Sequence, residues 1–218
     1  MKKGLLLLLI VILIALVPMI YLAITWNSIP EIVPVHFNLE MEPDRFGNKK
    51  ELILVTAIIS VVSILLFLLL KNLHRIDPKR KNLPPSPPFT RLGFGLIIFL
   101  NALSILIILA ATQSSSLMEN LFFPVIGLLF AFLGNYMVSL KPNYFAGFRV
   151  PWTLSDPENW RKTHQLGGRI WFWAGIAFAV VSLFIPFKTV LIVFVVMIVI
   201  ITIWPVVFSY KLFKSKQV

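Results

Sequence analysis

Residues 134–168 read GNYMVSLKPNYFAGFRVPWTLSDPENWRKTHQLGG, the least membrane-like stretch of a strongly apolar chain. It holds Arg149, Lys162, His164 and a proline-broken aromatic run at Pro151 and Trp152. Hydrocarbon excludes such a stretch, because each charge or broken backbone hydrogen bond is costly there. Ser155 and Glu158 have the spacing of a capping box and Pro157 suits a first turn, so a helix is expected to start here. At about 100° per residue, Trp160, Thr163, His164, Gly167 and Trp171 share one face, and Glu158, Arg161, Lys162, Gln165 and Arg169 share the other. This is the pattern of an amphipathic helix resting in the membrane interface, its aromatic side toward lipid or bundle and its basic side toward water or anionic headgroups.

The composition around this loop agrees. Hydrophobic residues make up 58% of the 218, charged ones 13%, and the mean hydropathy is +0.89, which excludes an ordinary soluble domain. Cysteine is absent, which removes disulfides, thiolate zinc sites and a catalytic thiol. The formal charge of +11 comes from Lys and Arg that flank apolar segments, the orientation signal of a membrane protein and not a nucleic-acid footprint.

Six apolar segments are expected to span: 4–25, 52–70, 92–112, 121–140, 170–187 and 189–209. The first is too long for the apolar core of a signal peptide and reads as an uncleaved span bent at Pro18. Thr56, Ser60 and Ser63 mark one polar stripe of the second span, facing other helices; Asn101 and Ser104 share a face of the third. Gly127 and Gly134, one heptad apart, mark a stripe of the fourth where another helix can approach closely. The basic, proline-rich stretch 71–91 reads as a connector with an extended PPSPP core, and 113–120 as a short polar turn. With both ends inside, sixteen of the 20 Lys and Arg residues fall on the inner side, which places 26–51 outside and the other long loops in the cytoplasm.

In the outer insertion, Pro30 and Pro34 favour extended backbone, and Asp44 to Asn48 (DRFGN) has turn chemistry. His36 reads as a hydrogen-bonded surface histidine, since no second metal ligand sits at a diagnostic spacing. Asp44, Arg45 and Lys49 suit either a local ion-pair cluster or a binding face.

The order of motifs in the cytoplasmic loop carries a resemblance. GN at 134–135, PN at 142–143, GFRVPWTL at 147–154 and W..KTH..GG at 160–168 resemble the signature of the SdpI family of bacterial membrane proteins. The matching positions are Gly134, Asn135, Asn143, Gly147, Arg149, Pro151, Trp152, Thr153, Trp160, Thr163, His164 and Gly168. The segments IP, VPVHFN and EPDRFGNK, with Pro34, His36, Asp44, Arg45, Gly47 and Lys49, resemble the small domain of unknown function that often precedes it. The resemblance implies immunity to a secreted toxin. In the family's namesake it also implies signalling, in which the toxin-engaged membrane protein holds a cytoplasmic helix-turn-helix repressor at the bilayer.

The residues themselves leave two other classes open, a small-molecule or lipid transporter and a membrane enzyme built on His164. The six segments contain no Asp, Glu, Lys, Arg or His, which disfavours proton-coupled transport. HExxH, GxSxG and phosphate-cradling glycine loops are missing, and Glu158 projects away from His164. No enzyme activity, cofactor or metal is therefore expected. Arg149 is expected to anchor loop carbonyls or Asn135 and Asn143, within one packed unit with Trp152, Thr153, Trp160 and His164. Arg161, Lys162 and Arg169 are the basic surface available to a partner or anionic lipid. The expected fold is an all-α integral membrane protein in three parts. Residues 1–51 form the first span and insertion, 52–120 spans two and three with the linker, and 121–218 spans four to six with the signature loop.

Overall fold

A computed structural model describes residues 2–38, 42–79, 87–112 and 116–217. Eight helices follow in order: α1 (Lys2–Thr25), α2 (Lys50–Lys71), α3 (Leu73–Ile76), α4 (Pro87–Thr112), α5 (Ser116–Met137), α6 (Pro151–Ser155), α7 (Pro157–Val181) and α8 (Phe187–Lys214). Strands β1 (Ile32–Phe37) and β2 (Pro43–Asn48) lie between α1 and α2. Among the described residues five helices, α1, α2, α4, α5 and α8, are long and apolar enough to cross a membrane. At about 1.5 Å per residue each covers the roughly 30 Å hydrocarbon layer.

Several expectations are corrected. The chain is not all-α: DRFGN is no turn but forms most of β2, paired antiparallel with β1 so that Pro34 faces Phe46 and Ile32 faces Asn48. One face of this hairpin is apolar and buried, with Val33 packed among Leu22, Leu52 and Ile108, and that burial outweighs local turn propensity. The fifth apolar segment continues the capped helix, as α7 runs unbroken from Pro157, but the helix stops at Val181, short of 187. Its polar first half keeps α7 outside the five spans. Of the two sides open to its aromatic face, lipid or bundle, α7 turns it to the bundle: Trp160, Thr163, His164 and Gly167 are buried inside the protein, as is Gly168. The stretch 80–86, with most of PPSPP, lies outside the described residues.

Helices α1, α2 and α4 pack together, α7 packs between α5 and α8, and α4 joins α5. Thr56, Ser60 and Ser63 are all buried in the first group. Between α5 and α7 the backbones touch through two reciprocal glycine pairs. A Cβ on Gly134 would lie 2.6 Å from Gly168 O, and one on Gly175 would lie 2.6 Å from Gly127 O. The pairing of 127 with 175 and 134 with 168 makes the two helices antiparallel.

Pro18 and Pro205, two of the three prolines in the interior of the described helices, shape the rest. Pro18 lies inside α1 and has no N–H for the carbonyl of Ile14, one turn back. Asn101 Nδ2, from α4, donates to that carbonyl at 2.6 Å. Pro205 inside α8 frees Ile201 O in the same way, and Trp171 Nε1, from α7, donates to it at 3.0 Å. A neighbouring helix thus supplies each missing donor.

This arrangement predicts a non-additive pair of substitutions. Asn101→Leu should destabilise the protein by about 1 kcal/mol while Pro18 is present. With Pro18→Ala the helix N–H returns to Ile14 O, and the same Asn101→Leu change should cost distinctly less. Unfolding of the purified single and double variants in detergent measures the coupling; strictly additive effects would refute the repair.

Candidate functional site

The signature loop runs from Leu140 to Asp156 and folds around Asn143, which is completely buried. Its Nδ2 donates to Lys141 O (2.9 Å) and Ala146 O (3.1 Å), while its Oδ1 accepts from Phe145 N (2.9 Å) and Ala146 N (2.7 Å). All the capacity of one side-chain amide is spent on the loop's own backbone. Arg149 is exposed and donates from Nη1 to Tyr144 O at 2.7 Å. It is therefore a carbonyl anchor, but not part of a packed unit with Trp160 and His164. Asn135 is exposed on α5, outside this network.

The chain then turns through Gly147, the glycine with φ +101°, where a Cβ would overlap His164 Nε2. The next amide, Phe148 N, donates to His164 Nε2 at 2.9 Å, and Phe148 O accepts the Thr153 hydroxyl at 2.6 Å. Thr153 Oγ1 accepts from Val150 N at 3.2 Å and so closes the first turn of α6, with Pro151 at its start. Asp156, not Ser155, caps α7: its side chain accepts from Glu158 N at 2.8 Å.

His164 is 1% exposed. Since Nε2 accepts from Phe148, the proton sits on Nδ1, which donates to Trp160 O at 2.8 Å. The ring stacks on Trp160 at 3.9 Å, and the Trp160 indole donates to Leu140 O at 2.7 Å. Burial pushes His164 down to about 4, against the opposing hydrogen bond to Trp160, so the imidazole is neutral at physiological pH. Both ring nitrogens are committed to backbone groups. Glu158 belongs to a different cluster, held at 2.8 Å by Lys162 and at 2.6 Å by Lys216, which also meets Asp156 at 2.7 Å. The lysines, Lys162 foremost, hold Glu158 down to about 2. His164 and Glu158 therefore do not assemble an acid–base pair, as the projection of Glu158 away from the ring implied.

The α8 side is joined by two polar contacts at Ser209, one of them braced by a bond within α7. Trp152 Nε1 donates to Ser209 Oγ at 2.8 Å, Asn159 Nδ2 donates to Ser209 O at 2.9 Å, and Thr163 donates to Asn159 Oδ1 at 3.0 Å. Asn159, Ser209 and Gly175 were not singled out from the sequence. Nor was Asp77, completely buried just after α3. Its carboxylate accepts from Lys79 N at 2.9 Å and Tyr144 N at 3.1 Å, and Lys79 donates to Leu154 O while lying over the Tyr144 ring. A lone aspartate in a basic linker gives no periodic signal, so only the fold reveals this strap.

Of the insertion residues, His36 Nδ1 meets exposed Asp44 at 2.6 Å, and Arg45 is exposed. Lys49 is drawn under the hairpin onto Glu31 at 2.9 Å, Ile29 O at 3.3 Å and the Trp26 ring. They form two separate contacts and not one cluster. Gly47 packs against the Glu51 side chain. Among the described residues no three His, Asp or Glu come together as metal ligands.

A helical bundle of apolar spans with a polar loop folded onto one end defines the chain as a multi-helix membrane protein. Its residues 139–209, from the start of the loop into α8, match the SdpI/YfhL protein family. Residues 13–61 match a domain of unknown function, DUF1648, covering the hairpin and the helices on either side. Gly134 and Asn135 lie just ahead of the first match. The immunity protein SdpI of Bacillus subtilis (strain 168) is 24% identical over 204 residues, covering 88% of each chain. An uncharacterised protein of Archaeoglobus fulgidus is 39% identical over 68 residues, 30% of this chain but 37% of that protein's length. No solved structure matches.

Two substitutions test the role of the histidine. His164→Gln keeps a side-chain acceptor for Phe148 N and should stay folded and functional, whereas His164→Ala orphans that amide and should cost about 1–3 kcal/mol. Between 6.5 and about 4 the unfolded chain binds a proton that the folded site refuses, so stability should fall as pH falls through that window. Melting curves should show this acid loss in the native protein and its reduction in His164→Gln; the part owed to Glu158 begins only below its ordinary value of 4.5. An undiminished acid loss in His164→Gln would contradict the assignment.

Proposed function

We propose that this chain is a membrane immunity protein that protects its cell against a secreted toxin. The observation that carries the reading is the likeness to the Bacillus immunity protein over 88% of both chains. The loop geometry supports it: Asn143, Thr153, Trp160 and His164 spend their polar groups on backbone. They hold a fixed shape at one end of the bundle and leave no reacting pair, which speaks against an enzyme built on His164.

The protein belongs, in this reading, in a bacterial cell membrane with six crossings, the second half of α7 being one of them. Support comes from α7 running antiparallel to both α5 and α8, shown by the glycine pairs and by the contacts of Trp171 with Ile201 and Asn159 with Ser209. The excess of Lys and Arg at the loop end, sixteen of 20 by that topology, puts this end and both termini in the cytoplasm and the hairpin outside. A signalling role through a cytoplasmic helix-turn-helix repressor extends the same reading. Its contact surface would be Arg161 and Arg169, both exposed, and less so Lys162, which Glu158 occupies.

Expression in a toxin-sensitive bacterium should give survival where an empty vector gives death; equal killing at verified membrane levels would overturn the immunity reading. Orientation is tested separately, because the chain has no native cysteine. A cysteine at exposed Glu42 should be labelled from outside intact cells and one at exposed Ser155 should be silent. The reverse pattern would invert the topology without touching the immunity assay.

A further inference from the structure

The signature loop closes over a cavity of about 370 Å³ that none of the loop's hydrogen bonds fills. Its wall is apolar, made chiefly by Leu92 of α4, Leu133 and Met137 of α5, Leu140 and Phe148 of the loop and Trp171 of α7. Tyr136, Ala146, Gly147 and Thr202 complete it, and of the lining Gly147 and Thr202 are exposed while Leu92, Met137, Leu140 and Phe148 are buried. The exposed part of its lining thus lies at the polar loop, with Gly147, and on α8 within its apolar span, with Thr202. An occupant that fits has a polar end at the loop and an apolar end in the bundle. The volume lies in the ~300–1,000 Å³ range of small-molecule sites.

Charge selects the polar end. Arg91 precedes the wall residue Leu92, Lys141 follows Leu140, and Arg149 follows Phe148; all three are exposed. Arg149 commits Nη1 to Tyr144 O and keeps further N–H groups for a ligand. Among the described residues none of the three is paired with a carboxylate. No Asp or Glu occurs from 120 to 155, and the nearby carboxylate of Asp77 is buried on the amides of Lys79 and Tyr144. We propose that this cavity binds one anionic phospholipid, with an acyl chain between α4, α5 and α8 and the phosphate held by Arg91, Lys141 and Arg149 at the loop. Exposed cations, each next in sequence to a wall residue of an apolar slot, favour a phosphate-bearing lipid over a zwitterionic one. The assignment rests on the cavity and the cations flanking its wall and is independent of the immunity reading.

The test is photolabelling of the full-length protein in nanodiscs of phosphatidylcholine doped with a phospholipid carrying a diazirine near the end of one acyl chain. The headgroup of the probe is phosphatidylglycerol in one arm and phosphatidylcholine in the other. Adducts on Leu133, Met137 or Phe148 should exceed those on the outward residues Ile203 and Trp204 for the glycerol probe, with at least about a fivefold preference over the choline probe. Arg91→Gln with Lys141→Gln should remove the headgroup preference. Thr202→Phe, which adds bulk to the lining from an exposed position, should reduce cavity adducts while those on Trp204 persist. Equal labelling by the two probes, or adducts confined to the outward face of α8, would overturn the proposal.

Discussion

A proline inside a membrane helix strips one carbonyl of its donor, and hydrocarbon has no water to replace it. Here the carbonyls of Ile14 and Ile201 are both rescued from outside their own helix, by Asn101 and Trp171. Each rescue joins a particular level of one helix to a particular level of another, and so sets register where greasy surfaces alone would slide. The glycine pairs of α5 and α7 then set distance, since only backbones without a Cβ come that close.

The loop depends on this frame. His164 meets Phe148 N because α7 is pinned to α5 on one side and to α8 on the other, while Gly147 leaves the ring room to reach it. Buried polar groups in such a place stabilise only when fully matched. Asn143, Thr153 and His164 are matched, and their partners are backbone amides and carbonyls. The result is a rigid polar cap whose side chains fix shape, with its remaining donors, on Arg149, turned outward.

Much of this was legible from residue patterns. Five of the apolar segments, the buried stripe of Thr56, Ser60 and Ser63, and the face shared by Trp160 and His164 follow from helical periodicity, which packing reinforces. What escaped has physical reasons. DRFGN has turn chemistry, yet β2 forms because its partner strand buries Val33. The second half of the α5–α7 contact, Gly175, sits in a run of small and apolar residues where nothing marks one glycine out. Asp77 and Ser209 act through backbone groups far away in sequence, a relation that no local pattern encodes.

The two proline repairs also differ in timing. The partner of Ile201 O lies 30 residues earlier, so Trp171 has already been synthesised when Pro205 leaves the ribosome. The partner of Ile14 O lies 87 residues later. During synthesis the carbonyl of Ile14 therefore has no Asn101 to meet until α4 is made. The first helix is complete only when the third long one joins it.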